Sequence, residues 1–461
     1  MNQNQYFFCG IGGSGMMPLA LIVKARGAKV RGSDRALDQG RIAAKFDWLA
    51  AQGIEVFPQD GSGLVSPEQI LVASAAIEDT VPDIIRGKEL GCPRKTRADL
   101  LSDLFNASAL PIAVGGTSGK STVTGMIGWI LASAGRDPTI MNGAVMKDFI
   151  DASTPFATAR TGRGDAFVSE VDESDGSIAL YRPGIAVLTN VSEDHKAMDE
   201  LRRLFADFAR VSGKVVWNAD DAETCAIIET LDHGNFLSFG FSTGADFRAT
   251  DLAPEPTAIG FTLLSESGAH QMRLKVPGRH NVANALAAIA AARAAGVTIE
   301  ECVAAIERFS GLARRFDIVG TARDVTVIDD FGHNPDKVAA TLAALKQFPG
   351  RILAFFQPHG FGPLRKMGVE LAATFASRLD GDDRLIVCDP AYFGGTVDRS
   401  MGSEVLLAGL AGRAEHIANR ADCGARLVEL AQPGDRIVIM GARDDSLTTF
   451  ARDILAKIDA R

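Results

Sequence analysis

The stretch Gly115-Gly-Thr-Ser-Gly-Lys-Ser121 restricts the fold more than any other part of the chain. It follows an apolar run at 111–114 and precedes a helix expected at 122–134. Glycines between a buried strand and a helix allow a tight turn and let the backbone approach a phosphate that a side chain would keep away. Amides at the helix start surround the phosphates, the Lys120 ammonium neutralises them, and the Ser121 hydroxyl is an oxygen ligand of the kind Mg2+ accepts. The loop departs from the general G-x-x-x-x-G-K-[ST] pattern, because residue 114 is Val where that pattern needs Gly. It predicts a nucleoside triphosphate site at the edge of a parallel α/β sheet, with a structural loop as the alternative.

A second glycine loop lies nearer the N-terminus. Gly10-Ile-Gly-Gly-Ser-Gly15 follows the apolar run 6–9 and opens an amphipathic segment at 16–26. A further strand-like run, 28–32, ends at Ser33-Asp34, and Asp34 stands nineteen residues after Gly15. This is G-x-G-x-x-G in its strand–turn–helix setting, which suits a pyrophosphate at a helix N-terminus. A nicotinamide or flavin would be the default ligand, a UDP-sugar satisfies the same physics, and a structural turn is the third reading.

Two later apolar runs end in polar tips. Ala166-Phe-Val-Ser-Glu170 runs into Val171-Asp-Glu-Ser-Asp175, and 185–190 runs into Val191-Ser-Glu-Asp-His195. Carboxylates directly after a buried strand favour a cation site at the sheet edge over a solvated acidic loop, and ligands of open α/β sheets bind at such tips. Glu170 and His195 are therefore the metal-side candidates. Beyond residue 311, strands expected at 325–329, 351–356, 384–388 and 436–440 alternate with helices at 336–347, 368–379 and 448–458. That alternation predicts another parallel sheet. An Ala-rich helix is expected at 283–295, a packing helix at 201–208 and a small antiparallel insertion between 246 and 276. Asp444-Asp445 reads as a helix cap, with contact to substrate as the alternative. His233, His270 and His416 read as surface residues without partners.

With 461 residues and ordinary apolar (46%) and charged (23%) content, the chain can bury several cores, and disorder or a fibrous repeat is excluded. The net charge of −9 leaves no global positive field, so no nucleic-acid partner is expected. The cysteines Cys9, Cys92, Cys225, Cys302, Cys388 and Cys423 form no C-x-x-C pair, which suggests neither a zinc site nor a disulfide framework. No apolar run reaches about 18 residues, and the start reads as no signal peptide, so a cytoplasmic protein without membrane insertion is expected. Its state is expected to be a monomer or a homodimer.

Taken together, these motifs resemble the Mur ligases, the ATP-dependent enzymes that add amino acids to the peptidoglycan precursor. The resemblance rests on the two glycine loops, Glu170-Val-Asp-Glu-Ser-Asp175, Thr189-Asn190 with Asp194-His195, Gly278-Arg-His-Asn281, Arg314-Arg-Phe316, Asp329-Asp-Phe-Gly-His-Asn-Pro335 and Phe356-Gln-Pro-His359. It implies an α/β chain of three domains. A Rossmann-like domain at 1–108 would bind the UDP-sugar, a P-loop ATPase-like domain with a parallel sheet at 109–310 would bind ATP, and a Rossmann-like domain at 311–461 would bind the amino acid. Gly10, Gly12, Gly13, Ser14 and Gly15 would take the UDP part of UDP-N-acetylmuramate. Gly116, Thr117, Ser118, Gly119, Lys120, Ser121 and Thr122 would hold the ATP phosphates. Ser121 and Glu170 would bind one Mg2+ and His195 a second. Asn281 would contact adenine, Arg315 and Asp330 the α-phosphate region and ribose, His333 the reacting centre, and His359 the amino-acid pocket, with Arg365 the nearby positive charge. The implied reaction is phosphorylation of the sugar's lactyl carboxylate by ATP, then attack of an amine on the acyl phosphate, with L-alanine as the expected amine.

Three departures stand out. The alanine-adding branch usually carries His where this chain has Ser118. Arginines common after the third-domain Gln-Pro-His are replaced here by Gly360-Phe-Gly-Pro-Leu-Arg365, and Lys366-Met-Gly368 is similar to ligases that attach a whole murein tripeptide. The lysine that some members carbamylate has no match, Phe205 lying near that point. The alternatives are a paralogue with another amino acid or a murein peptide as acceptor, an NAD-dependent oxidoreductase using the first loop, and a non-catalytic nucleotide-binding regulator.

Overall fold

The structure is a computed structural model that describes residues 4–40, 42–75, 77–193, 196–231, 235–391, 398–442 and 444–461. Three sheets organise it. The first holds β1 (Gln5–Cys9), β2 (Lys29–Ser33), β3 (Glu55–Phe57), β4 (Gln69–Ala73) and β5 (Arg94–Thr96) in the order β3-β2-β1-β4-β5. Every neighbouring pair in it is parallel. β1 lies at the point where the order reverses, so the loop after Cys9 opens into the crevice where such sheets bind ligands.

The second sheet contains β6 (Leu110–Gly115), β7 (Thr139–Met141), β8 (Ala159–Arg160), β9 (Ala166–Glu170), β10 (Ile185–Leu188) and β11 (Lys214–Asn218). It continues through β12 (Asn235–Gly240), β13 (Phe247–Glu255), β14 (Ala258–Ser265) and β15 (Gly268–Leu274). The order is β15-β14-β13-β12-β11-β10-β6-β9-β7-β8. β6 pairs in parallel with both β9 and β10, in registers that set Val114 beside Glu170 and Gly115 beside Leu188. The two-residue links between β13, β14 and β15 admit only antiparallel hairpins, which is the expected insertion.

The third sheet is β16 (Asp317–Ala322), β17 (Val325–Asp330), β18 (Ile352–Gln357), β19 (Arg384–Val387), β20 (Ala414–His416) and β21 (Arg436–Gly441), in the order β16-β17-β21-β18-β19-β20. Its strands are parallel except for the antiparallel edge strand β16.

The chain forms two compact units. One comprises Met1–Thr250, Leu263–His270 and Ala283–Phe309; the other comprises Asp251–Thr262, Gln271–Val282 and Ser310–Arg461. The first two sheets share a unit because one apolar cluster runs through both. The helix Arg97–Asn106 is the main link. Its Phe105 is fully buried and meets Phe167 of β9 and Tyr181 edge-on, with ring centroids 5.7 and 5.1 Å away. Full burial of such a ring stabilises by about 1.5–3 kcal/mol. At the same end Asn106 donates to the Leu180 carbonyl and accepts from the Arg182 amide, at 2.9 and 2.8 Å.

Most expected elements are present within a few residues, and 166–170 coincides with β9. The helix expected at 368–379 differs: it runs Phe361–Arg378. Gly360 at φ 137° ends the preceding segment, and Pro363 in the first turn lacks only an amide that no helical carbonyl would accept from. No helix among the described residues is long and apolar enough to cross a membrane.

Candidate active site

The second sheet brings three tips to one edge: the glycine loop after β6, the acidic loop after β9 and Thr189-Asn190 after β10. The glycine loop is pinned to the third of these. The Thr117 amide donates to the Asn190 carbonyl at 3.0 Å and the Ser118 amide to Asn190 Oδ1 at 3.0 Å. Asn190 Nδ2 and Thr189 Oγ1 donate to the Ser118 carbonyl at 3.0 and 2.7 Å. The helix Lys120–Ser133 starts after Gly119, whose φ of 87° favours glycine and whose missing Cβ would lie 2.6 Å from Asn284 Oδ1. Among the described residues, the amides of Gly119, Lys120 and Thr122 donate to no acceptor in the chain. They are the donors a phosphate needs at a helix N-terminus.

Lys120 Nζ donates to the Gly116 carbonyl at 2.6 Å and forms an ion pair with Glu173 at 2.7 Å. The Ser121 hydroxyl donates to Glu170 Oε2 at 2.8 Å. The ammonium of Lys120 and the acidic side chain of Glu170 thus lie at the same sheet edge, each with its own partner. Two residues the motifs did not flag, Asn142 and Gly143, lie beside the Ser121–Glu170 pair. Asn142 Nδ2 donates to the Ser121 carbonyl at 2.9 Å, and a Cβ on Gly143 would come 2.2 Å from Glu170 Oε1. Gly143→Ala is therefore expected to push the Glu170 carboxylate off Ser121 and raise the Mg2+ concentration needed for half-maximal turnover about tenfold, as loss of an outer-shell support does. A magnesium titration of the activity checks this.

Asp172 sits in the same acidic loop. Burial pushes its carboxyl up, but the Ser174 hydroxyl and amide and the charges of Lys120 and Arg97 outweigh that and hold it below the usual range. His195 and Asp194 lie outside the described residues. Among the described residues no cluster of three His, Cys, Asp or Glu forms a ready-made metal cage. The donor set Ser121–Glu170 is nonetheless an oxygen pair of the kind Mg2+ uses, since that ion keeps few protein ligands and completes its sphere with water and phosphate oxygens.

The first glycine loop is closed on itself. The Gly10 and Ile11 amides donate to the Ser33 carbonyl, the Gly13 amide to the Gly10 carbonyl and the Gly12 amide to Asp34 Oδ2 at 2.8 Å. Asp34 also caps the next turn through the Ala36 amide at 2.8 Å. One of its oxygens therefore serves the glycine loop and the other the following helix turn. The Ser14 and Gly15 amides donate to no acceptor among the described residues. Two cations that the fingerprint does not contain flank this loop. Buried Lys45 donates to the Gly12 carbonyl at 3.3 Å, and the Arg97 side chain lies over Gly15, 3.0 Å from where a Cβ would be.

The second unit gathers its own polar cluster at the ends of β17 and β18. Asp330 is 8% exposed and accepts from the Gly332 amide (2.8 Å), the Phe316 amide (2.8 Å) and the Thr341 hydroxyl (3.0 Å). It braces the loop rather than presenting a bare carboxylate. Arg315 lies 4.5 Å from the centre of the Phe331 ring, and His333 and His359 meet edge-on at 5.1 Å. His333 Nδ1 is 2.9 Å from the Phe331 carbonyl, which can only accept, so Nδ1 carries the proton and Nε2 is the open acceptor. Burial, with Lys337 nearby, pushes the His333 pKa down to about 3. Asn281 is buried and donates to the Pro277 carbonyl at 2.7 Å, whereas Asn284, one turn further along the helix Arg279–Ala294, is the residue against Gly119. Arg365 is surface-exposed and paired with Asp398 at 2.6 Å.

The helix Ser446–Asp459 has Asp445 at its N-cap with no side-chain cap bond, so neither acid caps it as expected; Asp444, one residue earlier, accepts from the Ser446 amide at 3.0 Å and from Gln357 and Arg420. His416 is not the partnerless surface residue expected: it lies between Asp389 (2.7 Å) and Glu404 (3.3 Å). β20 and the turn after β19 bring those groups together, which local sequence does not reveal. His270 is half-buried with Nε2 unpartnered among the described residues, and His233 lies outside them. All six cysteines are free.

A phosphate loop backed by an acidic strand tip, in a chain with a second glycine loop and two further parallel sheets, defines a nucleotide-dependent enzyme of multidomain α/β build. The family models agree on which one. The Mur ligase family catalytic domain matches residues 5–109, the Mur ligase middle domain 114–292, and the Mur ligase glutamate ligase domain 314–443. The UDP-N-acetylmuramate–L-alanine ligase of Cereibacter sphaeroides (strain ATCC 17029 / ATH 2.4.9) is 33% identical over 98% of this chain and 96% of its own. That of Geotalea uraniireducens is 34% identical over 94% of each. Among solved structures, the UDP-N-acetylmuramate–alanine ligase of Thermotoga maritima superposes with a TM-score of 0.80 at 23% identity over 99% of both chains. The murein peptide ligase of Psychrobacter arcticus gives 0.71 at 23% identity, also over 99% of both chains. The chain belongs to the Mur ligase family and is an ATP-dependent ligase of three α/β domains.

Proposed function

We propose that this ligase joins the amine of L-alanine to the lactyl carboxylate of UDP-N-acetylmuramate in the cytoplasm, as a step of peptidoglycan precursor synthesis. The observation that carries the reading is the pairing of Lys120 with Glu173 and of Ser121 with Glu170 on one sheet edge, in a chain whose full-length relatives carry that ligase's name. Residues 1–108 would take the UDP-sugar at Gly10–Gly15, residues 109–310 the ATP, and residues 311–461 the amino acid. In that arrangement the free amides of the Gly116–Thr122 loop orient the triphosphate, and Lys120 neutralises charge on the transferring phosphoryl group. Ser121 and Glu170 would hold one Mg2+, and His195 is the proposed ligand of a second; the ion would supply further charge neutralisation at the phosphates.

The sugar carboxylate attacks the γ-phosphorus, ADP departs and an acyl phosphate forms. The amine then attacks the acyl carbon and phosphate leaves. A ring with a pKa near 3 is a weak base, so His333 serves to orient through Nε2 rather than to store the proton. Arg315 and Asn281 are the proposed nucleotide contacts from outside the loop, Asp330 braces the segment that carries His333, and His359 faces the amino acid. Arg365 would have to leave Asp398 to reach a substrate carboxylate.

Phosphate release should depend jointly on ATP, UDP-N-acetylmuramate and an amine, with L-alanine preferred in a screen of amino acids and a murein tripeptide. Release that ignores the sugar defeats the ligase reading; preference for another amine moves the chain to a sister activity.

A further inference from the structure

The loop after β9 faces two cations at once. Glu173 pairs with Lys120 of the nucleotide loop at 2.7 Å, and two residues later Asp175 stands 3.6 Å from Arg97. The loop between them is compact, since Asp172 accepts from the Ser174 amide and hydroxyl at 2.9 and 2.7 Å and the Gly176 amide donates to the Glu173 carbonyl at 3.1 Å. A change at one end is thus felt at the other. Arg97 is held just as firmly. It opens its helix behind a capping box in which Thr96 and Asp99 satisfy each other's amides, and Phe105 and Asn106 anchor the far end of that helix. Its side chain, 26% exposed, crosses from Asp175 to Gly15, with Nε and Nη1 3.4 and 3.5 Å from the position of a Gly15 Cβ. A planar guanidinium there is suited to a phosphate or carboxylate oxygen.

We propose that Arg97 couples the two ligand sites: it turns from Asp175 to an anionic group of the UDP-sugar, and the acidic loop, relieved of that cation, then holds magnesium-bound nucleotide more tightly. This rests on the sugar reading of the first glycine loop. The charge balance is simple. Arg97 and Lys120 both pair with carboxylates of this loop, at Asp175 and Glu173, so withdrawing one raises the loop's attraction for a further cation. Linkage makes the effect mutual, with nucleotide tightening the sugar by the same factor.

Calorimetric titration of the full chain with UDP-N-acetylmuramate, and with Mg2+ and a non-hydrolysable ATP analogue, alone and together, tests this. The wild type is expected to bind the analogue about fivefold or more tightly once the sugar is present. Arg97→Ala should weaken the sugar about tenfold or more; its loop already lacks that cation, so it should bind the analogue about fivefold more tightly without sugar and gain nothing further from sugar. Arg97→Lys should recover part of the sugar affinity only. Asp175→Asn separates coupling from mere bracing: it should keep or improve sugar affinity and lose the gain, whereas a bracing role would weaken the sugar in both variants. Unchanged sugar affinity in Arg97→Ala, or an undiminished gain in either variant, overturns the proposal. A wild type that binds no UDP-N-acetylmuramate overturns the sugar reading itself, and this inference with it.

Discussion

Lys120→Ala is expected to lower phosphate release by about a thousandfold or more while UDP-N-acetylmuramate still binds. Removal of one preorganised group aimed at developing charge costs about a hundred- to a thousandfold. Here a second effect adds to it. Glu173 is 7% exposed and Lys120 is its ion-pair partner, so the truncated variant keeps an acid with no cation beside the phosphate loop. Its charge then repels the triphosphate it formerly helped to place. Lys120→Ala with Glu173→Gln should recover nucleotide affinity and not turnover, because it removes the repulsion without restoring the ammonium. Steady-state phosphate release and equilibrium binding of each ligand read these effects apart. Wild-type turnover in Lys120→Ala would show that this loop is not where phosphoryl transfer occurs.

Gly116→Ala should cost both fold and site. Gly116 has φ 131°, a conformation L side chains rarely adopt, and an added Cβ would stand 2.1 Å from Thr189 Oγ1 and 2.9 Å from the Asn190 carbonyl. Thr189 Oγ1 donates to the Ser118 carbonyl and the Asn190 carbonyl accepts from the Thr117 amide, so these groups pin the loop to the tip of β10. Strain and displacement together predict a loss of about 2–4 kcal/mol in unfolding free energy, and nucleotide binding should fall below detection as the loop amides lose their alignment. Urea unfolding with a binding titration measures both. A variant with unchanged stability and affinity would mean that the loop does not pack on Thr189 and Asn190.

The parts legible in advance were those whose signal is local. Gly10–Gly15 and Gly116–Ser121 announce themselves because a glycine loop between an apolar strand and a helix meets one physical need. β9 was readable to the residue because a continuous apolar run ends in a carboxylate. Glu173 was visible as part of an acidic run, but its pairing with Lys120 was not, since a charge run does not say which member turns inward. Asn142, Gly143 and Asn284 were missed for a related reason: they reach the site from β7 and from a helix far along the chain, and each acts by contact rather than by chemistry. Arg97 carried only a helix-start signal. The same limit governed the third sheet, where His416 reads as an isolated ring until β20 sets it between two carboxylates.

Sequence by itself determined the alternation of strands and helices, the two phosphate-type turns and the acidic tip behind one of them. Backbone sterics and apolar periodicity act over a few residues and leave their mark in the letters. Tertiary structure alone decided which side chains meet: that Glu173 rather than Glu170 faces Lys120, that Asp330 braces a loop, and that Arg97 stretches between a glycine loop and an acidic one. Those outcomes depend on how sheets and helices pack, a balance of burial over many residues that no short stretch of sequence records.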